Sequence, residues 1–142
     1  MQLLRTGFSE RKKGRRYALQ ALYGWRLTEN PLTTIEADML EMHAEEAWDR
    51  EYFNAVLFGV AEHKAEIEAQ LAPHLVDRNV QELDPIEWCI LHIAAFELLH
   101  RWDVPYKVVI NEAVELAKQF GATDGHKFVN GVLDKLAVLK RE

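Results

Sequence analysis

Apolar residues recur at helical spacing along most of the chain, and hardly any segment alternates with the period of two that is typical of strands. The pattern predicts a first helix from about Ser9 to Leu27, with Ser9 as its N-cap. A second, shorter helix is expected to open at Asn30-Pro31, with asparagine as the cap and proline in the first turn. A third is expected from about Asp49 to Leu71, and Pro73 should end it.

The second half of the chain predicts one buried helix followed by two amphipathic ones. The range Asp84 to His100 is apolar nearly all round, which is typical of a central helix. The next helix should begin at Pro105, because a proline disfavours helical backbone in the residue before it, and should end at Gly121. Thr123 is the expected cap of the last helix, with Asp124 in its first turn.

Six or seven helices with short connections predict an all-α bundle around one core. The length of 142 residues is that of one ordinary domain, so we expect a single domain over residues 1–142. The only cysteine, Cys89, excludes an intramolecular disulfide. No apolar run reaches the length of a membrane span, and the first nine residues lack the apolar core of a signal peptide. We therefore expect a cytoplasmic protein with no membrane partner.

Positive charge is concentrated in one short segment of an acidic chain. The net charge is −6, but residues 11–16 carry five cations and no acid, so the remaining residues carry −11. We name these five residues the cationic cluster: Arg11, Lys12, Lys13, Arg15 and Arg16. At the start of the predicted first helix they would oppose the helix dipole, which favours an external anion as their partner over a solvated helix end. Arg11 and Arg15 are expected to share an aspect of the helix with Tyr23, and charge beside a stacking ring suits single-stranded RNA.

Signatures of catalysis are missing from the sequence. It contains no glycine-rich phosphate loop, zinc-protease motif, nucleophile elbow or paired-cysteine zinc pattern, so we expect no enzyme, no metal and no cofactor. Cys89 and His92 are three residues apart and are interpreted as core residues, while the other histidines are scattered singly. Four glutamates are expected on a solvated face or in surface pairs: Glu62, Glu66, Glu97 and Glu112.

The start of the last helix is rich in polar residues around Gly131. A glycine inside a helix costs about 1 kcal/mol relative to alanine, and close packing against another helix is one explanation. The alternative is that Lys127, Phe128 and Asn130 offer charge, stacking and amide groups to a nucleotide. The residues by themselves favour packing.

Three segments closely resemble the NusB family of bacterial transcription antitermination factors. They are RRYALQALY at 15–23, DVPYKVVINEA at 103–113 and HKFVNGVLDK at 126–135, and the likeness continues in order over nearly the whole chain. The resemblance implies about seven helices in two small packed sub-bundles. It also implies binding of boxA RNA from ribosomal-operon leaders together with NusE, the small-subunit ribosomal protein. That pair would join other Nus factors on RNA polymerase.

The resemblance also implies which residues bind. Residues at positions that match the family's RNA-binding positions are the cationic cluster and Tyr23. The match also implies that the start of the last helix faces RNA, contrary to the packing interpretation. There the implied RNA-facing residues are Asp124, Lys127, Phe128 and Asn130. The implied NusE-binding residues are Glu87 and Tyr106. This chain departs from the family at Lys12 and Lys13, where arginines are frequent, and at Trp88, Cys89 and His92, where smaller or basic residues are expected.

Two other functions are open. One is an RNA-binding domain of an RNA methyltransferase, since such enzymes carry NusB-like domains, although nothing in the 142 residues predicts a cofactor-binding α/β domain. The other is a self-associating module, a homodimer whose cationic helix is buried at its own interface. For RNA binding, neutralising about four cations predicts a salt slope of roughly −3 for a single strand.

Overall fold

The computed structural model describes the backbone of residues 2–141 and the side chains of residues 7–141. The chain divides into two compact units, Met1–Gly59 (unit 1) and Val60–Glu142 (unit 2). All regular structure in the described residues is helical, which confirms the predicted all-α class with about seven helices. The helices are α1 (Gln2–Thr28), α2 (Leu32–Met42), α3 (Arg50–Glu62), α4 (Lys64–Leu71), α5 (Pro85–His100), α6 (Tyr106–Phe120) and α7 (Gly125–Arg141). Short 3-10 turns cover Ala72–His74 and Val80–Glu82. Within residues 2–141, no helix combines the length and apolar character needed to span a bilayer.

Helix α1 starts earlier than its sequence pattern suggests. It begins at Gln2, so Ser9 lies inside the helix and the predicted cap is wrong. The cationic cluster therefore starts more than two turns into α1 rather than at its N-terminus. Because the field of the helix dipole is felt within the first turn, the cluster does not oppose the dipole, and that prediction is wrong as well.

The predicted helix from Asp49 to Leu71 is two helices. The chain breaks at His63, whose φ of −104° and ψ of 18° separate α3 from α4. Asp49 precedes α3, and its Oδ1 accepts a hydrogen bond of 2.8 Å from the backbone N–H of Tyr52, as an N-cap does. The second helix also differs from the prediction, because Pro31 rather than Asn30 is the N-cap of α2.

Unit 2 is organised around α5. This helix runs from Pro85 to His100, which confirms the predicted range, and its N-cap is Asp84, whose Oδ1 accepts a hydrogen bond of 3.0 Å from the backbone N–H of Ile86. Every residue of α5 from Glu87 to Leu98 is buried, as its nearly unbroken apolar run indicates. Helices α6 and α7 pack against α5 and against each other. The cap predicted at Thr123 is wrong, because α7 begins at Gly125 directly after Asp124.

Several buried polar residues correct the sequence interpretation. Glu97 and Glu112 are buried rather than solvated. Cys89 and His92 are core residues, as predicted. The His92 ring nitrogens lie 2.6 Å from the carbonyl oxygen of Trp88 and 2.8 Å from a carboxylate oxygen of Glu68, so this imidazole is held by hydrogen bonds.

Gly14 interrupts the cationic cluster for a packing reason. A Cβ at Gly14 would lie 2.8 Å from the carbonyl oxygen of Asp49, which is too close for any side chain. The backbone N–H of Asp49 donates a hydrogen bond of 3.1 Å to the carbonyl oxygen of Glu10, so the loop before α3 is fastened to α1. Glycine at position 14 allows this close approach within unit 1.

We expect Gly14→Ala to lower the free energy of unfolding by about 1 to 2 kcal/mol, because crowding a packed backbone outweighs the better helix propensity of alanine. Gly24→Ala in the same helix is the matched control, since a Cβ there meets nothing within 4 Å. The control should gain about 1 kcal/mol. Urea unfolding of both variants measures this. A Gly14→Ala protein as stable as the parent would contradict the packing role.

Candidate nucleic-acid and partner interfaces

The cationic cluster is only partly open to solvent. Lys12 is exposed, and Arg11, Lys13 and Arg16 are half-buried; we call these four the accessible cations. Arg15 differs, since only 2% of its surface is exposed. Its predicted RNA contact stays a prediction, and in this conformation its side chain is part of the packed interior.

Two acids in the segment between α2 and α3 face the cluster. Lys13 Nζ lies 3.9 Å from Glu46 Oε1, and Arg11 Nε lies 3.6 Å from Asp49 Oδ2. Partly exposed ion pairs of this kind stabilise a fold by at most about 1 kcal/mol. Phosphate oxygens can therefore replace these carboxylates at little cost. The ion pairs position the cations but leave them accessible to an anion.

Neighbouring rings fix the position of Glu46. Its carboxylate accepts a hydrogen bond from the Tyr17 hydroxyl, and its Oε2 lies 2.5 Å from Nδ1 of His43. These hydrogen bonds hold the pKa of the Glu46 carboxyl below its ordinary value, so it stays charged opposite Lys13. The Tyr17 and His43 rings stack with centroids 3.8 Å apart.

Two arginines of the cluster contact an aromatic ring that the sequence analysis did not predict. The guanidinium carbons of Arg11 and Arg15 lie 4.2 Å and 5.2 Å from the ring centroid of Tyr52. Tyr23, expected to share their aspect of α1, is exposed further along the helix. Sequence reasoning missed Tyr52, because its approach to α1 depends on the packing of α3 and leaves no signal in local spacing.

The start of α7 carries the other predicted RNA-binding residues, all in unit 2. Asp124 is exposed with φ of 66°, in the left-handed region, and its Oδ1 lies 3.4 Å from Nζ of the exposed Lys127. Asn130 is also exposed, and its Nδ2 lies 3.5 Å from an oxygen of Asp134. A Cβ at Gly131 would meet nothing within 4 Å, so close helix packing does not explain this glycine.

Arg78 connects two residues for which the sequence predicts different partners. Its guanidinium carbon lies 4.0 Å from the ring centroid of Phe128, a predicted RNA contact. Its Nη2 lies 3.8 Å from Oε2 of Glu87, a predicted contact for NusE. Arg78 lies in the loop before α5, and nothing in its sequence neighbourhood signals this position.

The predicted protein-binding residues lie at two helix starts of unit 2. Glu87 is in the first turn of α5 and only 8% exposed, and burial raises the pKa of its carboxyl while Arg78 opposes that rise. Tyr106, the first residue of α6, is half-buried. The residues that depart from the family along α5, Trp88 with Cys89 and His92, are all buried. They therefore belong to the core rather than to a docking surface.

Comparison with known proteins identifies the family. A transcription antitermination protein NusB from Shewanella piezotolerans is 52% identical over 128 residues, which cover 90% of this chain and 94% of the relative. The structure of T. maritima NusB gives a TM-score of 0.81 at 28% identity and covers 89% of each chain. A chain in the crystal structure of antitermination factors NusB and NusE in complex with dsRNA gives a TM-score of 0.81 at 25% identity, covering 90% of this chain and 96% of that one. Residues 12–138 match the sequence profile of the NusB family. The chain therefore belongs to the NusB family.

Proposed function

We propose that the chain is a transcription antitermination factor, a non-enzymatic adaptor that binds boxA RNA together with NusE. The observation that carries the proposal is the set of four accessible cations in α1 of an otherwise acidic NusB-family chain. Relatives of about half identity are named transcription antitermination proteins. The similar fold found in a complex of NusB and NusE with dsRNA supports both partners. A cytoplasmic location and the absence of a resident cofactor are part of this proposal.

RNA binding would begin at the accessible cations. Phosphates exchange with the carboxylates of Glu46 and Asp49, so the cations need no large rearrangement to change partners. The exposed ring of Tyr23 offers a platform on which an unpaired base can stack. Electrostatic attraction supplies affinity that depends on salt, and stacking supplies preference for unpaired RNA.

Unit 2 would add selectivity and the protein partner. Lys127 and Asn130 are exposed at the start of α7, where an ammonium and an amide can hydrogen-bond phosphates and base edges. Glu87 and Tyr106 are the proposed contacts for NusE. The RNA–NusE–adaptor assembly then joins other Nus factors on RNA polymerase.

Fluorescence anisotropy tests this adaptor role. The labelled RNAs are a boxA-like single strand, a scrambled strand of the same composition and a boxA-like duplex, each titrated with the chain in the presence and absence of NusE. We expect the tightest binding for the single-stranded boxA-like RNA, and we expect NusE to strengthen it. Equal affinity for the boxA-like and scrambled strands with NusE present would overturn the proposal and leave a nonspecific anion patch.

Asp124→Asn should strengthen RNA binding about two- to fivefold, because two charges 4 Å apart in water interact by about 1 kcal/mol. The change removes a carboxylate that competes for Lys127, and asparagine tolerates the left-handed backbone at this position. Asp77→Asn is the matched control, since Asp77 is also exposed in unit 2 with φ of 57°. The anisotropy titration measures both variants. Unchanged binding, or an equal gain in the control, would contradict the prediction.

A further inference from the structure

Unit 2 brings two histidines and a glutamate together. His63 is the N-cap of α4, Glu66 lies in the first turn of that helix, and His100 is the last residue of α5. The sequence scatters the histidines singly and predicts Glu66 on a solvated face or in a surface pair. Nothing in their spacing shows that the start of α4 lies beside the end of α5. Neither the RNA interface nor the NusE interface proposed above uses these side chains.

Both histidines approach the same carboxylate oxygen of Glu66. Nε2 of His100 lies 2.5 Å from Oε1 of Glu66, and Nδ1 of His63 lies 3.5 Å from the same oxygen. One ligand atom from each residue lies within 4.8 Å of the others. Tetrahedral zinc, with ligands at about 2.0 to 2.2 Å, needs its ligand atoms about 3.3 to 3.6 Å apart. We expect rotation of the side chains to close the gap between these two distances, because all three residues are partly exposed.

The surroundings of the cluster suit a bound cation. Oε2 of Glu62 lies 4.0 Å from Nε2 of His63, the ring nitrogen that does not face Glu66. At 4.0 Å this carboxylate is too far away to accept a hydrogen bond from the ring, but its negative charge beside the cluster favours a cation. The buried Phe96 ring forms an apolar wall, with its centroid 6.2 Å from that of His63 and 5.7 Å from that of His100.

One side of the cluster is open to water. The side chains of His63, Glu66 and His100 are 33%, 48% and 29% exposed. An ion can therefore enter directly, and a water molecule can occupy a fourth position. Two imidazoles and one carboxylate favour Zn²⁺ and its transition-metal neighbours over Mg²⁺ or Ca²⁺, which prefer oxygen ligands.

We propose that His63, Glu66 and His100 bind one Zn²⁺ ion, with water as the fourth ligand. The ion would join the start of α4 to the end of α5 and so stabilise unit 2. The site is independent of RNA and NusE binding. Without metal, the same side chains form a hydrogen-bonded pair and a ring stack, with centroids 4.0 Å apart.

Zn²⁺ titration of the full chain near pH 7.5, by calorimetry and by competition with a chromogenic chelator, tests the site. We expect binding of one ion per chain, and we expect His100→Gln to weaken it at least tenfold. His126→Gln is the control, because His126 is a half-buried histidine outside the cluster and should leave the affinity unchanged. Equal affinity of the parent and His100→Gln would overturn the proposal, as would no binding at tens of micromolar zinc.

Glu66→Gln keeps a hydrogen-bonding group beside His100 but removes the charged ligand. It should bind zinc at least tenfold more weakly while its circular dichroism and thermal unfolding without metal stay close to those of the parent. Bound Co²⁺ should give the parent chain the intense visible absorption of four-coordinate cobalt, and Glu66→Gln should lack it. A parent spectrum identical to that of aqueous Co²⁺ would contradict the site.

Discussion

Changing all four accessible cations to glutamine is expected to weaken binding of boxA-like RNA on the order of a hundredfold at 50 mM salt. The logarithm of the affinity for a single strand falls with the logarithm of salt concentration by about 0.7 for each cation that contacts phosphate. The parent chain should therefore show a slope of roughly −3, and the variant, which keeps Lys127, a slope no steeper than about −1. Anisotropy titrations between about 50 and 200 mM salt give both quantities.

Arg15 is retained in this variant because it is buried beside Tyr52. Its loss would change stability, and that effect could not be separated from an effect on RNA binding. The control must remove the same charge elsewhere. Four exposed lysines of unit 2 serve when changed together to glutamine: Lys107, Lys118, Lys135 and Lys140. The control should keep most of the affinity and of the salt slope. An equal loss in the control would show that net charge, rather than the cationic cluster, governs RNA binding.

Arg141→Ala is expected to lower the free energy of unfolding by about 3 kcal/mol, because hydrogen bonds from a charged group are worth about 1.5 to 3 kcal/mol each and carbonyls at helix ends lack internal partners. The guanidinium donates to four carbonyl oxygens at 2.9 to 3.0 Å, those of Glu97, Leu98, Arg101 and Val104. It also lies 4.4 Å from the Trp102 ring centroid. The last residue of α7 thereby holds the end of α5 and the loop that follows.

Urea unfolding measures the effect, with two comparison variants. Lys140→Ala removes an exposed neighbour and should change stability by less than about 0.5 kcal/mol. Arg141→Lys keeps the charge but should lose most of the stabilisation, because an ammonium cannot reproduce the planar fork that reaches several carbonyls. An Arg141→Ala protein within about 0.5 kcal/mol of the parent would contradict the role of Arg141.

Helices with strong local signals could be predicted from the sequence, and those with weak signals could not. Both ends of α5 were predicted correctly, because Asp84 is followed by a proline and a long apolar run. By contrast, α1 extends seven residues before the predicted Ser9 cap. The prediction failed because a serine inside a helix cannot be distinguished by sequence from a serine that caps one. The break at His63 has neither a proline nor a glycine to signal it.

The part of the candidate interfaces that depends on local charge could be predicted from the sequence. The part that depends on tertiary contacts could not. Five cations in six residues are visible in the sequence, but the burial of Arg15 is not, since it depends on packing against Tyr52. Arg78 contacts Phe128 and Glu87 because the loop before α5 packs beside α7 in the folded chain. These contacts join residues that local periodicity cannot relate.

Terminator read-through in transcription by purified RNA polymerase tests the antitermination role most directly. The template carries a boxA-containing leader before a terminator, and the reaction contains NusE and the other Nus factors with or without this chain. We expect the chain to raise read-through when boxA is intact, and we expect no increase from a scrambled boxA or from the variant lacking the accessible cations. Read-through that is the same with and without the chain, or that ignores boxA, would contradict the proposed function.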